Sequence, residues 1–254
     1  MDNKVALVTG AGRGIGRGIA LAFARAGYEV CVHYNQSADM AEETVRLIRD
    51  SGGSAEAVQA DISGMAGIES LFRQFSARFK RLDVHVNNSG ITRMKPFLET
   101  TPELYDEVMN TDLKGLYFCS QHAARLMVGQ GTKGAIINIS SNHASGTWSN
   151  STVYAAAKAA VNKLTMNMAL DLAAHGIRVT GIAPGYTMIE KVDQVKAKPY
   201  IDSVSSRIPL GRFATPMEVG EAAVYLASDS AGYITGTTLY MDGGALLPVW
   251  AERS

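Results

Sequence analysis

The sequence is sparing in cysteine. Cys31 and Cys119 are the only two in 254 residues, and no Cys-x-x-Cys occurs. That excludes a disulfide framework and reads as two buried thiols in a reducing compartment. No metal is expected. Excess charge of one sign is also missing, with 24 basic residues against 24 acidic ones. Without a basic tract, nucleic acid and anionic membrane are poor partners. No apolar run reaches the roughly 18 residues of a membrane span. Met1-Asp2-Asn3-Lys4 leads straight into an apolar stretch, so no signal peptide is expected and the expected location is cytoplasmic. Internal repeats, linkers and low-complexity segments are absent as well.

What is present suits one sizeable domain over residues 1–254, since 46% of the side chains are hydrophobic. Short apolar runs alternate with helical stretches. Strands are expected near residues 4–9, 29–34, 54–60, 82–87, 134–140, 176–182 and 237–241, with helices starting near 14, 38, 64, 101, 151 and 215. Alternation of this kind predicts an α/β fold, a doubly wound parallel sheet of seven strands covered on both faces. Thr215-Pro216-Met217-Glu218 has the cap, N1 proline and N3 glutamate of a helix start. His85, within an apolar strand, is expected to be a satisfied core histidine.

The first strand ends in Gly10-Ala11-Gly12-Arg13-Gly14-Ile15-Gly16 and a helix follows. Glycines permit positive φ and let a diphosphate approach the backbone, and the helix N-terminus adds N–H donors and a partial positive charge. Ile15 stands where the dinucleotide fingerprint G-x-G-x-x-G has its third glycine. Further on, Tyr154 and Lys158 sit four residues apart in an alanine-rich segment. On a helix they share a face, and an ammonium beside a phenol favours the phenolate. Such a pair suits proton transfer to or from an alcohol oxygen.

Thr9-Gly10-x-x-x-Gly14-x-Gly16 together with Tyr154-x-x-x-Lys158 resembles the short-chain dehydrogenase/reductase family. Asp61-Ile62, Asn87-Asn88-Ser89-Gly90, Pro184-Gly185, Ile208 through Arg212 and Thr235 through Gly244 extend that resemblance over nearly the whole chain. It implies a Rossmann fold and a catalytic set of Asn110, Ser141, Tyr154 and Lys158, with Ser140 a structural hydroxyl. Tyr154 would protonate a ketone oxygen as hydride arrives at carbon. Ser141 would polarise that oxygen, Lys158 would act on the phenol and the nicotinamide ribose, and Asn110 would hold a water linking Lys158 to solvent. The implied cofactor contacts are Gly10, Arg13, Gly14, Ile15, Gly16, Asp61, Ile62, Asn88, Gly90, Tyr154, Lys158, Pro184 and Gly185.

The turn after the second strand, Asn35-Gln36-Ser37, carries no acid to select the ribose hydroxyls of NAD. Arg13, Asn35 and Ser37 could instead hold a 2′-phosphate, so NADP is expected ahead of NAD. The family's threonine after Pro-Gly would fall at position 189, which is Ile, and Thr187 is the substitute considered. Residues 186–207 are expected to form a substrate lid, irregular in structure. Its Lys191, Lys196 and Lys198 suit either an anionic substrate or a solvated loop, the latter being favoured. The helices near 101 and 151 resemble those the family uses to build homotetramers. Resemblance is nearest to 3-oxoacyl reductases and to glucose or polyol dehydrogenases. A non-catalytic dinucleotide sensor would need a damaged catalytic set, and a sugar-nucleotide epimerase would need a larger C-terminal part.

Overall fold

The structure, a computed structural model, describes residues 4–189 and 194–247. Strands β1 (Val5–Val8), β2 (Glu29–Tyr34), β3 (Ser54–Gln59), β4 (Val84–Asn87), β5 (Ala135–Ile139), β6 (Arg178–Pro184) and β7 (Thr238–Met241) form one sheet in the order 3-2-1-4-5-6-7. Every neighbouring pair is parallel. Strand order reverses between β1 and β4, and the carboxyl ends there open a crevice. Alternate residues of β1 serve opposite cores, as a period of two requires. Ala6 and Val8 pack with Ile19, Phe23 and Val219. Val5 and Leu7 pack with Leu71, Phe75 and Met127.

Helices α1 (Gly14–Arg25), α2 (Ala38–Asp50) and α8 (Pro216–Ala227) furnish the first core, which also takes Ala41 and Val45. Helices α3 (Met65–Arg78), α5 (Leu116–Gly129) and α6 (Thr152–Leu172) furnish the second. Helices α1 and α8 meet through glycine. A Cβ on Gly18 would lie 2.3 Å from Pro216 O, and one on Gly220 would lie 2.5 Å from Gly18 O. Thr215 caps α8 in a capping box with Glu218.

Two segments depart from expectation. The long helix from residue 101 is α4 (Pro102–Met109) joined to α5 by a π turn over Asn110–Gly115. The 186–207 segment contains a helix, α7 (Gln194–Ser205), with Pro199 inside it. Lys191 and the side chain of Lys196 lie outside the described residues, while Lys198 pairs with Asp202 at 2.9 Å.

His85 is satisfied on one side only. Its Nε2 donates to Asn87 Oδ1 at 2.9 Å, whereas Nδ1 is buried without a partner. Burial pushes this imidazole down to about 4, so it stays neutral at physiological pH. Cys31 and Cys119 are both buried and unpaired, and burial pushes the Cys119 thiol up to about 12. Among the described residues no helix is long and apolar enough to cross a membrane.

Candidate active site

The glycine loop is held from two sides. Thr9 Oγ1 accepts from the N–H groups of Asn88 and Ser89 at 2.9 and 3.0 Å, and Asn88 Nδ2 donates to Thr9 O and Gly10 O. On the other side Gly10 N–H donates to His33 Nδ1 at 3.2 Å, and His33 Nε2 bonds Ala60 O at 3.1 Å. A carbonyl only accepts, so the proton resides on Nε2 and Nδ1 presents its lone pair. Thr9 and His33 therefore shape the loop, although neither carries a motif-level signal beyond Thr9's place before it.

Gly10 and Gly14 adopt φ of 64° and 54°, which suits glycine. A Cβ on Gly16 would lie 2.1 Å from Gly10 O. The bare backbone of the loop and the start of α1, where Arg13 makes no side-chain cap, fit a diphosphate. A cleft of about 820 Å³ opens over this loop, lined by Gly10, Arg13, Gly14, Ile15, Gly16, Asn35, Ser37, Asp61, Ile62, Asn88 and Gly90. These are the residues expected to meet the cofactor on its adenosine and diphosphate side. Arg13 is exposed there. Arg17 instead braces the loop to α2, its guanidinium donating to Gly12 O at 2.8 Å and to Thr44 Oγ1 at 3.0 Å.

A smaller cavity of about 160 Å³ adjoins, lined by Ser141, Tyr154, Lys158, Pro184 and Gly185 together with Asp112 and Ile139. Ile15, Asn88, Gly90 and Thr92 line both spaces and so join them. Ser141 ends β5 and caps the following turn, its Oγ accepting from His143 N–H at 3.2 Å. Ser140 Oγ is spent on Lys158 O at 3.2 Å, the structural use expected of it. On α6 the Lys158 ammonium lies 5.6 Å from the Tyr154 ring centre. It donates to Ile139 O at 3.1 Å and stands 3.2 Å from Asp112 Oδ2. Burial presses this ammonium down, but the Asp112 carboxylate and Tyr154 more than offset it, leaving Lys158 above the usual lysine value. Asp112 is itself raised by burial, which Lys158 and the Ile91 N–H only partly counter.

Two expected residues are not where the motifs suggested. Asn110 lines the larger cleft and is absent from the smaller cavity. The π turn brings Asp112 onto Lys158 instead. Asn110 opens that same turn, two residues before Asp112. Thr187 lines neither space, because its hydroxyl turns back to Gly185 O at 3.2 Å and its backbone bridges to Ala214. Ile189 lines the cofactor cleft, and its Cγ2 would lie 3.3 Å from a Cβ on Gly14.

Beyond Tyr154 stands an aromatic wall. His143 stacks on Trp148 with ring centres 4.0 Å apart and meets the Tyr154 ring edge-on at 5.4 Å. Trp148 Nε1 donates to Tyr186 Oη at 3.2 Å, and His143 Nδ1 bonds Ser151 Oγ at 2.6 Å.

Residues 10–245 match the family model described as enoyl-(acyl carrier protein) reductase. A 3-oxoacyl-(acyl-carrier-protein) reductase of Staphylococcus aureus is 39% identical over 241 residues, 95% of this chain and 97% of that protein. A 3beta-hydroxysteroid dehydrogenase of Eggerthella lenta is 38% identical over 249 residues, 97% of this chain and 95% of that protein. The fold of a candidate NAD(P)-dependent gluconate 5-dehydrogenase from Beutenbergia cavernae, solved with NADP, matches with a TM-score of 0.89 at 37% identity, covering 98% of each chain. The chain belongs to the short-chain dehydrogenase/reductase family. Its chemistry is that of an oxidoreductase interconverting a ketone and a secondary alcohol with a nicotinamide cofactor.

Proposed function

We propose that the chain is an NADP-dependent carbonyl reductase of the 3-oxoacyl type, in which Tyr154, Lys158 and Ser141 handle the substrate oxygen. The observation that supports this most is the shared cavity that these three side chains line, continuous with the glycine-loop cleft. The bound nicotinamide would supply the hydride for reduction and take it back in oxidation. Tyr154 gives its phenolic proton to the substrate oxygen, or takes it in reverse. Ser141 Oγ donates to the same oxygen and stabilises the charge that builds there. Lys158 brings positive charge to the phenol and has a donor to spare for the ribose.

Several residues support NADP. The Asn35-Gln36-Ser37 turn after β2 carries no acidic side chain to repel a 2′-phosphate, and Arg13, Asn35 and Ser37 line that end of the cleft. A bulky or apolar substrate is favoured by Trp148 and Tyr186, and by the exposed Met94, Phe97 and Leu98. That last segment is tied to the loop before Tyr154 through Lys95 N–H to Asn150 O at 2.8 Å. Residues 186–207 serve as the lid in this reading, and the working form is a cytoplasmic homotetramer. A sugar or polyol alcohol is the competing substrate class within the family.

The test follows the oxidation of NADPH and of NADH by absorbance across 3-oxoacyl esters, simple ketones, sugars and polyols. Turnover is expected with NADPH on 3-oxoacyl esters. Preference for NADH would overturn the cofactor assignment, and turnover confined to sugars would move the substrate class. Tyr154→Phe is expected to lower kcat by about 10³-fold or more with cofactor affinity little changed. Retained turnover would sink the proton-transfer role.

A further inference from the structure

Ser141 follows β5 and Tyr154 sits in the first turn of α6, yet both must reach one substrate oxygen. Their spacing depends on what joins the turn at Asn142–Ala144, which Ser141 caps, to the start of α6. His143 makes that join. Its N–H donates to Ser141 Oγ at 3.2 Å, its Nδ1 bonds Ser151 Oγ at 2.6 Å, and its ring meets the Tyr154 ring edge-on at 5.4 Å. Ser151 immediately precedes α6 and is 1% exposed. Its hydroxyl makes no cap bond to the helix and goes to His143. Behind the imidazole Trp148 stacks with the ring planes 6° apart. Gly146 leaves room for the indole, since a Cβ there would lie 2.4 Å from it. Burial lowers the imidazole from its ordinary value, so the ring is neutral at physiological pH.

We propose that His143 is a positioning residue for this reaction: through Ser151 it ties the turn that Ser141 caps to the helix that carries Tyr154, and so sets the distance between the two hydroxyls. The inference rests on the roles given above to Ser141 and Tyr154. Hydride and proton converge on one carbonyl, so a hydroxyl slightly out of place slows the proton's delivery. Without the tether β5 and α6 keep their places against the sheet. The fold survives while the alignment loosens. Trp148 extends the same brace outward, because it donates to Tyr186 Oη in the segment after β6.

The experiment follows the ketone that turns over fastest in the panel above, with the whole enzyme carrying His143→Phe, Ser151→Ala or both. kcat, KM and the solvent deuterium isotope effect are read separately, with NADPH affinity and melting temperature alongside. Each single substitution is expected to lower kcat about tenfold and to enlarge the isotope effect, because proton transfer becomes limiting. KM and NADPH affinity stay within about twofold. The double variant is no slower than either single, since both remove one contact. His143→Asn, whose amide stands where Nδ1 stood, recovers most of kcat. Unchanged kcat in the singles overturns the proposal, and so do losses that multiply in the double variant. A lowered melting temperature with kcat and isotope effect unmoved overturns it too. If His143→Phe does not fold, Ser151→Ala and His143→Asn carry the test. A slow Ser151→Ala beside an active His143→Asn then supports the proposal, and any other pairing overturns it. Failure of the underlying reading would show elsewhere, as turnover retained in Tyr154→Phe.

Discussion

At neutral pH His33 and His85 each carry a single proton, and both are buried in strands of the sheet, His33 beside the cofactor crevice. Burial holds each imidazole near 4, against 6.5 for an ordinary histidine. The unfolded chain therefore binds more protons than the folded one between those values, and stability falls as pH drops through that window. The loss is on the order of 3 kcal/mol per histidine. For His33 the effect reaches function, since a proton on Nδ1 would oppose the Gly10 N–H that it now accepts. Urea denaturation at stepped pH should show the decline between about 6.5 and about 4, and His85→Phe should make it shallower. A pH-independent midpoint across that window would refute the account. His85 is buried in the core as the sequence predicts, but the role of His33 was not legible, because it gains its meaning from Gly10 and Ala60, and those contacts exist only once β1, β2 and β3 are paired. Asp112 escaped for the same reason. In a linear motif Asn110 and Asp112 are equally near the helix end, and only the π turn decides which one meets Lys158.

The elements themselves were easier to read. β2 and β3 begin at Glu29 and Ser54, where they are expected, and α8 begins at its Thr-Pro-x-Glu signature, whose local chemistry dictates that end. The π turn was hidden, since Asn110-Thr111-Asp112-Leu113-Lys114-Gly115 differs little from ordinary helix in propensity. Helix α7 was hidden by Pro199, which argues locally against a helix interior. The tightest demand at this scale is the α1–α8 crossing. Gly18→Ala places a methyl group against the Pro216 carbonyl, so α8 must move or α1 must shift along with the glycine loop. Overpacking of this sort is expected to cost about 1–3 kcal/mol and to weaken NADPH binding. Calorimetry of the variant with and without cofactor would check both, and unchanged melting with unchanged affinity would contradict the packing described.

For the molecule as a whole, the helices between residues 102 and 172 carry some of the exposed apolar side chains. Tyr105, Tyr117, Met166 and Leu170 are 47%, 42%, 52% and 79% exposed. Where such side chains join into one contiguous patch, the surface marks an interaction site. Sedimentation equilibrium is expected to give the mass of four chains. A monomer at micromolar concentration would remove the tetramer from the proposal and leave those faces unexplained. Substrate class belongs to this scale as well. It depends on how the aromatic wall, the segment from Met94 to Leu98 and residues 186–207 come together, and no motif spans them.

Asp112 opens a stripe that continues through Leu116, Cys119, Ser120 and Ala123, all buried along the same length of helix. The carboxylate facing Lys158 is thus anchored to the interior beneath β4 and β5 rather than to a loop. Chemistry mounted in that way cannot slacken ahead of its scaffold. On warming, the proton-handling centre and the heart of the molecule should give way at one temperature, with no warm, folded but idle form between them.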